Sequence, residues 1–388
     1  MEKYQTIFEH ILKKKINKHM FKILYENAKF DSYLNKISIE DWEYFLELNL
    51  ETNGCFIEAV EYLYSELSQE KNKATGKYYL NINNLLNDKG YVVLENFLET
   101  SSVNKINKEL KLHRHISKSE ANKIIKGDLI DNSASDKSYS GVFYSYLTDQ
   151  ELKQDSEIVQ KLVLNNQIKT IVANYFKSTP YLVGLTSFIT NPKKIKDFTN
   201  LDIHFNAQMY HFDYSHLKFL KVFVFLSDVE NEKDGAHCFV EGSHRSFRKY
   251  PKEKKYFYDP GLKKIGSNYY GNIKKEWVEN NYEQGKIKKF CYPKGTILIE
   301  DTYGLHRGSE CLTNQRKVLQ LYFSISNLSG GWLTDSQPTL AINSEEKYLY
   351  PMLQSKKKLH FDVENIYKKK KEKNFKKFCN KIFKFLKS

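Results

Sequence analysis

The chain has 388 residues, 40% hydrophobic and 14% aromatic, with a formal net charge of +14. That length can bury a large core and hold two or three domain-sized units, and the composition is globular rather than disordered. No apolar run approaches the roughly 20 residues of a spanning helix, the N-terminus MEKYQTIFEHILKKKINKH is too charged for a signal peptide, and the five scattered cysteines form no CxxC pair, which argues against a disulfide framework or zinc knuckle and for a reducing cytoplasm.

Residues 1–80 read as a helical region. Tyr4, Ile7, Phe8, Ile11, Leu12 and Ile16 recur at helical spacing. Ser38 caps a second helix carrying Trp42, Phe45 and Leu46, and a third runs through Phe56, Ala59, Val60, Leu63 and Leu67. This region is expected to pack on the main domain, with partner binding as the alternative. The texture then changes. GYVVLENFL (90–98) reads as a strand ending at a helix cap, Thr100–Ser102. Helices are expected near 103–115 and 155–176, and YLVGLTSFI (181–189) as the next strand.

From 204 the strands come quickly: 204–212, 218–229, 237–242, 295–302 and 316–326. Their DG, GSH and PKG punctuation predicts an α+β chain with a double-stranded β-helix, or jelly-roll, core of cupin-like type and flanking helices. Strands and long helices do not alternate here, which argues against a doubly wound sheet. A Lys- and Tyr-rich insertion, 246–290, is expected to cover the barrel mouth as a lid. Residues 329–388 form a C-terminal extension. Its last part, 364–388, has ten lysines against Glu364 and Glu372 and so carries eight of the net positive charges. Phe375, Phe378, Cys379, Ile382, Phe383 and Leu386 stripe one face of a basic amphipathic helix. Such a helix suits peripheral contact with an anionic membrane surface; docking on the protein's own body or fraying are the bland readings. Because the excess charge lies in the tail, it makes a weak case for nucleic-acid binding by the body.

Three residues carry the chemistry. His211 and Asp213 stand two apart in YHFDYSH, so on a strand they share one face. His306 follows the apolar run GTILIE in a glycine-flanked turn, and Arg316 opens the next strand. Two imidazoles and a carboxylate can hold one face of a non-haem iron(II), leaving the other open to a co-substrate and dioxygen. An arginine in the same barrel suits a carboxylate-bearing co-substrate. Other polar residues nearby have bland readings. His204, His216 and His244 are expected to be structural, Gln208 to face away from the metal and Met209 to pack beside it. Lys218 and Lys221 are expected in solvent, although an inward lysine would meet an anionic substrate.

The ordered set resembles the phytanoyl-CoA dioxygenase (PhyH)-like family of iron(II)/2-oxoglutarate oxygenases over residues 88–328. The matching blocks are GYVVLENFL, then QMYHFDYSHLKFLKVFVFLSDVENEKDGAHCFVEGSHR (208–245), then GTILIEDTYGLHRGSECLTNQRKVLQLYFS (295–324). The resemblance implies iron(II) on His211, Asp213 and His306, and Arg316 on the distal carboxylate of 2-oxoglutarate, with Ser309 adding a hydrogen bond there. It also implies use of dioxygen with release of succinate and carbon dioxide. The carboxylate at Asp213 favours hydroxylation over halogenation. A small-molecule substrate, such as a sugar, a lipid or another biosynthetic intermediate, in a cytoplasmic enzyme is the leading expectation. An oxygenase acting on a macromolecule and a catalytically silent jelly-roll scaffold are the alternatives.

Overall fold

A computed structural model of the chain describes residues 1–29, 37–67, 76–110, 116–117, 141–146, 157–178, 180–192, 208–245, 250–258, 262–265, 268–326 and 328. The basic tail, His204 and the first part of the expected 204–212 strand lie outside them. No helix among the described residues is long and apolar enough to cross a membrane.

Five helices come first: α1 (Glu2–Leu12), α2 (Lys18–Ala28), α3 (Ile39–Glu51), α4 (Cys55–Leu67) and α5 (Lys77–Lys89). Ser38 does cap α3, its hydroxyl accepting from the Asp41 amide. Strand β1 is short, Tyr91–Leu94, and α6 (Thr100–Leu110) starts sooner than its Ser/Thr pattern implied. After β2 (Ile116–Ser117) and β3 (Gly141–Tyr146), the helix expected over 155–176 is two: α7 (Glu157–Val163) and α8 (Asn166–Phe176). Asn165 divides them because its side chain accepts from the Gln167 and Ile168 amides and so starts a fresh helix.

The remaining strands are β4 (Tyr181–Asn191), β5 (Phe219–Phe225), β6 (His237–Val240), β7 (Lys263–Ile265), β8 (Asn268–Tyr270), β9 (Ile287–Phe290), β10 (Ile297–Asp301), β11 (His306–Gly308) and β12 (Arg316–Ser324). A short helix, α9 (Lys275–Asn281), lies between β8 and β9. The large sheet runs β1-β10-β5-β12-β4-β3-β2, the small one β11-β6-β9, and β7 pairs β8; every pairing is antiparallel. Large and small sheets face each other as a jelly roll. The last four residues of the presumed insertion are therefore β9, a strand of the small sheet.

Alternation along β5 divides the core. Phe223 and Phe225 point toward the small sheet and pack with Phe239, Phe290, Leu298 and Val318. Leu220, Val222 and Val224 point the other way, into a cluster continuous with Phe8, Phe21, Phe45, Val60 and Val172 of the helices. The helical region thus shares one apolar core with the barrel. At about 25 cal/mol per Å² of apolar area removed from water, that shared face is a main source of cohesion.

Candidate metal centre

The expected strand 204–212 is not regular where it is described. Residues 209–217 form isolated bridges instead: Tyr210 with Ile273, and His211 with His306. These bridges still impose strand-like placement. His211 and His306 exchange both backbone hydrogen bonds at 3.0 Å, and the Asp213 amide donates to the Thr302 carbonyl at 2.9 Å. The local pairing, rather than a continuous strand, brings the two distant segments side by side.

His211, Asp213 and His306 each offer a ligand atom, and those atoms all lie within 4.8 Å of one another. His211 Nε2 is 3.9 Å from Asp213 Oδ1, and His306 Nε2 is 3.4 Å from Asp213 Oδ2. Ligands on one octahedral face, each about 2.1 Å from a metal, stand about 3 Å apart. The donor set therefore fits a divalent ion after shifts of less than about 1 Å. Both rings are also prepared for it. His211 Nδ1 donates to the Met209 carbonyl at 2.7 Å and His306 Nδ1 to the Gly304 carbonyl at 2.9 Å. A carbonyl can only accept, so each proton sits on Nδ1 and each Nε2 lone pair is free for a metal. Asp213 Oδ2 is buried and accepts no hydrogen bond among the described residues. His211 is pushed down to about 3 by burial and the neighbouring imidazole. Burial opposes ionisation of Asp213, but Lys221 and the imidazoles outweigh it and hold the carboxyl well below its ordinary range. Burial likewise opposes protonation of His306, yet Asp213 raises it.

Arg316 lies at the start of β12, buried, with Nη1 donating to the Gly235 carbonyl at 2.7 Å and Nε without a partner among the described residues. Burial lowers its pKa to about 10, so it stays charged at neutral pH. The turn supporting it is built on Asp234, which accepts from the amides of Glu230, Asn231 and Asn314 and from the Thr313 hydroxyl. Gly235 has φ +79, a backbone conformation that favours glycine, and a Cβ there would crowd Cys311. Ser309 Oγ lies 3.2 Å from Cys238 Sγ. It lines a cavity of about 530 Å³ together with Gln208, Met209, Tyr210 and Arg307. By strand alternation Arg307 points away from the face that His306 presents.

The two lysines depart from the expected solvent placement, and a His237–Glu300 pair stands beside the site. Lys218 and Lys221 are not in solvent. Lys221 Nζ stands 2.6 Å from Asp213 Oδ2, with its side chain only 13% exposed. Lys218, on the opposite face, pairs with buried Asp301 at 3.0 Å and with Glu61 at 2.6 Å. His237, its ring centroid 5.6 Å from that of His306, contacts both oxygens of fully buried Glu300 at 3.1 and 2.9 Å. Burial raises Glu300 to about 8 and holds His237 well below its ordinary value, so the pair is neutral at pH 7. One signal for the lysines lies in KFLKVFVF itself. A strand apolar on both faces is covered on both, so a cation within it needs a buried partner. His244 is buried and structural as expected, with Nε2 3.1 Å from the Asn87 carbonyl oxygen. The described part of the insertion packs on the ligand segment: Tyr270 lies 5.0 Å from Tyr214, and Tyr250 lies 5.5 Å from Phe212, ring to ring.

Residues 86–318 match the family model described as phytanoyl-CoA dioxygenase (PhyH). No curated protein matches the chain. Among solved structures, HygX from Streptomyces hygroscopicus, crystallised with nickel, 2-oxoglutarate and hygromycin B, is 14% identical with a TM-score of 0.42, covering 64% of this chain and 87% of its own. The 2-oxoglutarate-dependent epimerase SnoN from nogalamycin biosynthesis is 14% identical with a TM-score of 0.37, covering 63% and 80%. AviO1 from Streptomyces viridochromogenes Tue57 is 8% identical with a TM-score of 0.39, covering 63% and 94%.

Proposed function

The chain belongs to the phytanoyl-CoA dioxygenase family, an iron- and 2-oxoglutarate-dependent enzyme family, and from that membership we propose that it hydroxylates a small molecule with release of succinate and carbon dioxide. The observation carrying this reading is the triad of His211, Asp213 and His306, whose ligand atoms lie within 4.8 Å of one another. In the proposal these three hold iron(II). Iron held there would, with 2-oxoglutarate and dioxygen, supply the oxidising power to convert a substrate C–H to C–OH, the second oxygen atom ending in succinate as carbon dioxide is lost.

The chain's own residues then have definite tasks. The Met209 and Gly304 carbonyls hold the two imidazoles with Nε2 toward the metal position. Arg316 takes the distal carboxylate of 2-oxoglutarate; its partnerless Nε is the donor that such a group would satisfy. Asp213 fills the carboxylate position that a halide would otherwise need, which favours hydroxylation over halogenation. The aromatic packing of Tyr214, Tyr250 and Tyr270 over the ligand segment helps exclude water. Ser309 touches Cys238 and is the weakest member of the proposed co-substrate set.

The test is anaerobic addition of iron(II) and 2-oxoglutarate, which should produce the weak visible charge-transfer band of the chelate. Arg316→Ala should keep the metal and lose most co-substrate affinity, since an unpaired buried charge costs about 3–5 kcal/mol. Unchanged 2-oxoglutarate affinity in that variant would remove Arg316 from the site. A missing band together with no uncoupled succinate formation would support a silent scaffold.

A further inference from the structure

We propose that Lys221 reads an anionic group on the substrate, a carboxylate or a phosphate or sulfate monoester, which places the substrate among organic acids rather than neutral or cationic molecules. This rests on the oxygenase reading above and deepens it.

The argument begins with the strand. Lys221 sits on β5 between Glu300 of β10 and Tyr322 of β12, its cross-strand neighbours. Its ammonium is walled by rings, 5.4 Å from the centroid of Phe219 and 4.9 Å from that of Tyr322. Ring faces attract a cation but accept no ordinary hydrogen bond. Glu300, the adjacent carboxyl, is engaged by His237 through both oxygens. Asp213 is the one carboxylate in contact, at 2.6 Å, and that contact lacks hydrogen-bond angles. The ammonium is thus ion-paired with the residue that would bind the metal, and its ring neighbours offer its N–H donors no ordinary acceptor.

Charge balance gives the same answer. In a loaded site a divalent metal would be balanced by Asp213 and one carboxylate of 2-oxoglutarate, and Arg316 by the other. Glu300 and His237 together carry no net charge whichever of them holds the proton, and burial keeps His216 neutral by pushing it down to about 3. Lys221 is the cation left over among the described groups, and it stands beside the metal position. An ammonium that shares its one carboxylate partner with a metal is only partly compensated, and a substrate anion placed there supplies the missing charge. A cationic substrate would meet like-charge repulsion instead.

The test uses the full chain loaded anaerobically with iron(II) and saturating 2-oxoglutarate, with the charge-transfer band as readout. Acetate and methylphosphonate are titrated against neutral acetamide, ionic strength being held with a bulky sulfonate salt. The anions should shift the band saturably and acetamide should not. Lys221→Met should weaken anion binding by about ten-fold or more, as expected for loss of a hydrogen bond to a charged group, and Lys221→Arg should keep it. Lys221→Gln carries the comparison if the methionine variant fails to fold, and the contrast between anion and amide needs no variant. Equal responses to acetate and acetamide, or an undiminished anion response in Lys221→Met, would overturn the proposal while leaving the oxygenase reading intact. A wild-type chain that forms no chelate band would sink both.

Discussion

The buried ion pair between Lys218 and Asp301 gives a sharp test of how the barrel is held together on its helix-facing side. Asp301 is fully buried at the end of β10. Its Oδ2 receives the Tyr175 hydroxyl of α8 at 2.5 Å and lies 3.0 Å from Lys218 Nζ, and its Oδ1 receives the Tyr303 amide at 3.0 Å. Lys218 also reaches Glu61 of α4 at 2.6 Å, and its ammonium sits 4.5 Å from the centre of the Tyr175 ring. Lys218→Met would leave the Asp301 carboxylate buried without its cation, which costs about 3–5 kcal/mol. The Glu61 arm is 36% exposed and screened by solvent, so Glu61→Gln should cost less than about 1 kcal/mol. Urea unfolding followed by circular dichroism gives these differences. The double variant Lys218→Met/Asp301→Asn should be less damaged than the sum of its singles, with a coupling of about 2–3 kcal/mol. Burial opposes ionisation of Asp301, but Lys218 lowers its pKa in the folded state. Its stabilisation is therefore present above the unfolded value near 4 and lost as pH falls through the folded one. The gap between wild type and Lys218→Met should narrow in acid. If Lys218→Met unfolds within 1 kcal/mol of wild type, or the coupling is near zero, the pair is not a structural link.

Three further outcomes are expected. His211→Ala and Asp213→Ala should each abolish stoichiometric iron(II) binding, measured by metal analysis after gel filtration; full retention in both would remove the triad. For Glu300 the folded pKa of about 8 lies above the unfolded value, so wild type should lose stability as pH rises from 6.5 to 8, by up to about 1.4 kcal/mol per pH unit. Glu300→Gln should flatten that slope in metal-free unfolding curves, and an unchanged slope would show that Glu300 ionises normally. A chain truncated to begin at residue 88 should be insoluble or molten, because it uncovers the face of the large sheet that packs on the helices. Cooperative unfolding of that truncated chain would show that the barrel folds without the helical region.

The local elements were legible where one physical signal dominated. Ser38 before an acidic first turn marked the start of α3, the apolar spacing of Phe56, Val60 and Leu63 marked α4, and the run GTILIE marked β10. The His-x-Asp pair was legible as a candidate because the two residues stand two apart. Over its described residues the segment beneath it is not a regular strand, since bridges to His306 and Ile273 hold it instead. Pairing between segments about a hundred residues apart leaves no mark in a local window. The same is true of ion-pair partners. Lys218 and Lys221 look alike in KFLKVFVF, yet one meets Asp301 and Glu61 on the helix side while the other meets Asp213 on the barrel side.

From the order of residues alone came the resemblance to an iron(II)/2-oxoglutarate family, carried by matched blocks, the candidate ligands, carried by side-chain chemistry and spacing, and the jelly-roll class, carried by short punctuated strands. Tertiary structure decided which charges are buried, which partner each one meets, and that helices and barrel share a core. Burial and pairing are properties of surfaces brought together by folding, and those surfaces exist only once distant strands have closed on one another.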